Sequence, residues 1–179
     1  MNKPTTFLLL GALMLITGCA PTIADYKDTR PTLAFEEFFN GDVAAHGMVQ
    51  GRDGKVIRRF TIAMHGAWKG DKGTLEEKFL YDDGERQQRV WDVRRLPNNR
   101  YEGTAADIIG TAKGESSGSA IRWSYIMRVP VKGHTYNLTF DDWMFLLPDG
   151  TMLNRSTLTK FGFKVAEISI FMHKGKHAI

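Results

Sequence analysis

The chain has 179 residues, 42% hydrophobic and 25% charged, with 24 Lys and Arg against 20 Asp and Glu for a net charge of +4. That is enough chain for one domain with a sizeable core, and so mild and interspersed a charge excludes the concentrated basic footprint of a nucleic-acid-binding protein. A lone cysteine, Cys19, excludes a disulfide framework and a cysteine metal site.

Lys3 opens a short basic region, and Phe7 to Ile16 is uncharged throughout. The run is too short for a transmembrane helix, which needs ~20 apolar residues, but it fits the hydrophobic region of a secretory signal. Ile16-Thr17-Gly18 then leads directly into Cys19. The segment resembles a bacterial lipobox, in which cleavage falls before the cysteine and its thiol and new amine carry acyl chains. The alternative is an ordinary secretory signal cut at another small residue. The lipobox reading makes residues 1–18 a signal peptide and Cys19 a palmitate-type lipidation site. Buried acyl chains contribute about 0.8 kcal/mol per CH₂, and two or more hold a protein stably on a membrane. Ala20 follows the cysteine where retention at the inner membrane would call for Asp, so the expected address is the outer membrane, facing the periplasm. Residues 19–32, with Pro21 and Pro31, read as a tether.

Leu33 to Phe39 carries four large apolar residues without clean alternation, which predicts a short helix or turn plugging one end of the domain. From Asp42 onward turn chemistry recurs at short intervals, and the segments between alternate apolar and polar residues. Period-two alternation with short turns marks antiparallel strands. So many strands without a long crossover must split or close on themselves. The expectation over residues 33–174 is an all-β fold: a single antiparallel up-and-down barrel of the lipocalin or calycin kind, with about 8–10 strands. A β-sandwich is the alternative. Residues 175–179 read as a basic tail.

Two hairpins permit residue-level registers. Tyr81-Asp82-Asp83-Gly84-Glu85 suits a three-residue loop with glycine in the left-handed region. It sets Phe79 beside Gln87, Glu77 beside Arg89 and Leu75 beside Trp91. Leu147-Pro148-Asp149-Gly150-Thr151 pairs Phe145 with Leu153 and Trp143 with Arg155, with Asp141 diagonal to Arg155. Asp142, Met144, Asn154 and Ser156 then occupy the opposite face. Each hairpin thus predicts an apolar face interrupted by an Arg–carboxylate pair. Pointed inward, these faces would build a cavity with Trp91, Trp143 and Phe145 as an apolar wall and Arg89 and Arg155 as cationic anchors. Such a cavity suits a fatty acid or other amphiphile, since guanidinium binds carboxylate or phosphate in a fork. The alternative is that both arginines close the barrel ends or face outward.

The signal with its lipobox, Gly66-Ala-Trp68-Lys-Gly70, Thr74-Leu-Glu-Glu-Lys-Phe79, Tyr81-Asp-Asp-Gly-Glu85, Arg89-Val-Trp91, Tyr101-Glu-Gly-Thr-Ala105, Asp141-Asp-Trp-Met144, Asn154-Arg155 and Lys160-Phe-Gly162 together resemble the bacterial lipoproteins filed as domain of unknown function 3833. The resemblance implies a Gram-negative lipoprotein and supplies no activity or catalytic residues. Gly66-Ala67-Trp68 also resembles the Gly-x-Trp of lipocalins, though it follows the second strand rather than marking the first; packing at a barrel end is the alternative for Trp68.

The histidines, His46, His65, His134, His173 and His177, lack the close spacing of a metal motif, and no nucleophile elbow, phosphate loop or dinucleotide fingerprint occurs. No cofactor or metal is expected. Enzyme chemistry would fall to Asp141 or Asp142 as an acid or base in an aromatic pocket; pairing with Arg155 or capping a turn is the alternative. The leading expectation is a membrane-anchored lipoprotein binding or shielding a lipid-like ligand, followed by an enzyme acting on such a molecule, then by an envelope-assembly factor with a filled barrel.

Overall fold

The computed structural model describes residues 20–176; the signal region, Cys19 and the last three residues lie outside the described residues. Ten strands follow one another: β1 Gly41–Gly51, β2 Val56–Lys69, β3 Lys72–Tyr81, β4 Arg86–Leu96, β5 Arg100–Thr104, β6 Ile108–Ser117, β7 Ala120–Val131, β8 His134–Leu146, β9 Met152–Lys160 and β10 Phe163–Lys174. Each pairs antiparallel with its sequence neighbours, and β1 pairs with β10, so the sheet closes. Closure removes the two unpaired edges an open sheet would expose. The fold is the expected up-and-down barrel rather than the sandwich.

The turns act as their residues demand. Tyr81 N–H donates to the Glu85 carbonyl at 3.0 Å, and Gly84 takes φ +84°. Glu77 therefore faces Arg89 and Leu75 faces Trp91. In the second hairpin Leu147 N–H donates to the Thr151 carbonyl at 2.8 Å, so Trp143 faces Arg155 and Phe145 faces Leu153. Both registers are those read from the turns.

One end of the barrel is plugged. Helix α1, Phe35–Phe38, lies there, and Leu33, Phe35, Phe38 and Phe39 are all buried. The Phe35 ring meets Trp68 at 6.0 Å and Trp123 at 5.4 Å between centroids, so Trp68 packs at the barrel end. Glu36 accepts a hydrogen bond from the Tyr101 hydroxyl at 2.9 Å and pairs with Arg95 at 2.8 Å. Gly66 lets the plug seat, because a Cβ there would overlap the Phe39 carbonyl. Burial of these rings stabilises by about 1.5–3 kcal/mol each relative to exposure.

Candidate functional site

Alternation along each strand sends every second side chain inward. On β3 and β4 the inward set includes Leu75, Glu77, Phe79, Arg89, Trp91 and Val93. Arg89 and Trp91 thus lie in the interior. On β8 and β9 the buried residues are Leu138, Phe140, Asp142, Met152, Asn154, Ser156 and Leu158. Trp143, Phe145 and Arg155 occupy the other parity and stand on the outer wall. The expected cavity wall is therefore corrected: the face with the larger rings is outside. Tyr26, in a 3₁₀ turn at Ile23–Tyr26, packs on it, with centroids 5.7 Å from Trp143 and 5.4 Å from Phe145. The N-terminal segment supplies the cover that the lumen was expected to supply. Arg155 is exposed and pairs with Glu167 at 2.9 Å. Asp141 is outside as well, held by Arg122 at 2.6 Å, and that guanidinium, not Arg155, lies over the Trp143 ring.

Inside, two polar groups face each other. In the first, Arg89 donates through Nε to both Asp107 carboxylate oxygens, at 2.9 and 3.2 Å, and through a terminal nitrogen to Glu77 at 3.2 Å. Its other terminal nitrogen lies 3.5 Å from Met127 Sδ and 2.9 Å from Asp107. Trp91 Nε1 donates to Glu77 at 3.2 Å. In the second group, Asp142 accepts from Ser156 Oγ at 2.6 Å, from the Tyr125 hydroxyl at 3.1 Å and from the Asn154 amide. Trp91 and Tyr125 join the groups edge to face at 5.7 Å, and Phe140 stacks on Tyr125 at 5.0 Å.

Two inward carboxylates, Glu77 and Asp142, and a third at the β5–β6 turn, Asp107, with its side chain 32% exposed, share this cluster with one guanidinium. Burial drives the Glu77 carboxyl up despite Arg89, and the nearby Asp107 charge adds to it. Burial likewise raises Asp142, partly offset by its three donors. The Tyr125 hydroxyl is pushed well above its ordinary range by burial and by Asp142. Burial would lower Arg89, but Glu77 and Asp107 outweigh it and hold the guanidinium charged. Its donors are already engaged, so Arg89 organises the site rather than offering a vacant fork to an anion. Asp107, Tyr125, Asn154 and Ser156 were missed from sequence. The alternation that placed Asn154 and Ser156 opposite Trp143 could have found the β9 pair; nothing local marks Asp107.

Several inward apolar side chains are only partly buried: Tyr81, Trp91, Tyr125, Met144, Ile168 and Ile170. A separate groove of about 550 Å³ lies against β2 to β6, with Trp68, Gly73, Thr74, Asp92, Arg94 and Glu102 among its walls. Its Arg94 and Glu102 pair with each other at 2.8 Å, and none of the buried, shifted carboxylates reaches it. The interior holds the chemistry. Among the described residues no group of three or more His, Cys, Asp or Glu could hold a metal ion.

The fold and the site define a class: a closed antiparallel barrel, plugged at one end by a short helix, with an acidic and aromatic cluster inside. Residues 13–174 match the family described as "Protein of unknown function (DUF3833)", and the chain belongs to that family. No curated protein matches the chain.

Proposed function

We propose that this protein is a lipid-anchored lipoprotein of the outer membrane, facing the periplasm, whose barrel takes a lipid-like amphiphile. The observation that carries the ligand is the interior itself, where partly accessible aromatic and aliphatic side chains border a buried cluster with surplus carboxylate. A barrel that only needed filling would be at least as stable with apolar residues at these positions, because burying charge costs desolvation. The anchor rests on Cys19 and the apolar run before it; the family match begins at residue 13 and so takes in Cys19 and only the end of that run.

The apolar tail would lie along Phe79, Trp91, Ile168 and Ile170. The polar group would meet Glu77, Tyr125 and Asp142. With carboxylates in excess and Arg89 occupied, the site favours an amphiphile bearing hydrogen-bond donors or positive charge, and aromatic faces add to that preference. Native mass spectrometry of the lipoprotein released from membranes in mild detergent should show a bound species beyond the acylated chain. Trp91→Ala should lose it. An empty native barrel, or retention by the variant, overturns the reading.

A second reading, acid/base catalysis on such a molecule, is favoured by one observation: burial raises the Asp142 carboxyl within reach of Ser156 and Tyr125. Asp142→Asn separates the two. It should lower occupancy without changing the mass of the bound species if the barrel is a carrier, and cause an unprocessed ligand of different mass to accumulate if it is an enzyme.

A further inference from the structure

The β9–β10 hairpin turns through Phe161 and Gly162, with Lys160 paired to Phe163. Both turn residues have positive φ, +51° at Phe161 and +81° at Gly162. Two-residue turns of this type prefer Asn-Gly, because a side chain in the left-handed region is strained and a bulky one especially so. Phe161 is also 89% exposed and Phe163 73%. A position that is both strained and apolar in water is a poor choice for folding, which points to a contact outside the chain.

The surroundings identify the partner. Lys160, Lys164 and, at the next hairpin, Lys132 flank the tip; the carboxylates on the same wall are ion-paired, Glu167 with Lys164 at 3.1 Å and Arg155 at 2.9 Å, and Asp141 with Arg122 at 2.6 Å. The β3–β4 hairpin, elsewhere on the same rim, carries Asp82, Asp83 and Glu85, which pair with Arg58 and Arg59. Up the same wall from Phe161, cross-strand neighbours Phe145, Leu153 and Phe171 form an outer apolar row, with Leu153 44% and Phe171 41% exposed. The 3₁₀ turn of the N-terminal segment rests on this row through Tyr26 and Phe145. Protruding aromatics ringed by lysines match the interface of an anionic bilayer, where the rings enter the headgroup boundary and the lysines meet phosphate.

We infer that the β8–β10 wall lies against an anionic lipid bilayer with Phe161 and Phe163 inserted, so that the barrel rests on its side. The inference builds on the membrane address proposed above and adds the orientation: the segment that follows Cys19 packs on the docking wall through Tyr26, and the β3–β4 hairpin, on another side of the barrel, faces water.

The test uses the acylated protein in vesicles of phosphatidylethanolamine and phosphatidylglycerol, with a nitroxide attached through Phe161→Cys, Thr159→Cys or Asp83→Cys. The unmutated protein should take no label, since acylation consumes its only thiol. Labelling there would sink the anchor alone, and the depths would then be read on a Cys19→Ser background. The label at 161 should lie about 5 Å or more below the phosphates, shielded from a water-soluble relaxant and open to oxygen, while that at 83 stays in water. Phe161→Ser with Phe163→Ser should bring the label at 159 out of the interface with the circular dichroism unchanged. Equal water exposure at 161 and 83 overturns the docking, whether or not Cys19 is acylated.

Discussion

Arg89 is the residue on which the interior cluster depends. Its side chain is mostly buried between Glu77 and Asp107 and pairs with both. Removing one partner of a buried pair leaves charge without compensation, at a cost of about 3–5 kcal/mol. Arg89→Met should therefore shift the urea midpoint sharply downward, and adding Glu77→Leu should recover part of the loss; full stability in the single variant would mean that water solvates the carboxylates. Titration provides a second check. Burial raises Glu77 and Asp142 above their ordinary values of 4.5 and 3.8, so the folded chain holds these protons more tightly than the unfolded chain. Stability from this source is complete below those values and is lost as pH rises through the raised folded values. Asp142→Asn should flatten the decline in unfolding free energy over that range, and an unaltered slope would remove Asp142 as its source.

At the scale of elements, the plug and the tip make opposite demands. Phe39 is 1% exposed and belongs to the same core as the barrel's inward residues. Phe39→Ala should cost about 3–5 kcal/mol in chemical denaturation. At the tip the local rule runs against the native residue. Phe161→Asn gives the hairpin the residue its left-handed backbone prefers, and should raise the melting temperature by relieving strain of about 1 kcal/mol. The same substitution should weaken vesicle docking. A variant that gained stability and kept its docking would assign the aromatic ring no role.

For the whole molecule, topology follows from chain order and faces do not. With each strand paired to its predecessor, ten short strands have one way to hide both edges, which is to join β1 to β10. Closure leaves each hairpin two possible orientations, one face in and one out. The β3–β4 hairpin turns its larger rings inward; β8–β9 turns them outward, because Tyr26 waits there to cover Trp143 and Phe145. A reader of the hairpin alone weighs Trp and Phe against Asp, Asn and Ser, and puts the rings inside. The hydroxyl of Tyr125, one strand away, satisfies Asp142 and makes the polar face tolerable within.

The amino-acid order alone set what is local: the strands from period-two alternation, the registers from Asp-Asp-Gly and Pro-Asp-Gly, and the plug from Leu33 to Phe39. Each depends on residues a few positions apart, where sterics and hydrogen bonding admit few answers. Tertiary structure alone decided which wall of β8–β9 faces inward and brought Asp107 to Arg89. Those outcomes depend on partners far along the chain, Asp107 reaching Arg89 across 18 residues, and burial energy is settled only when the last strand meets the first.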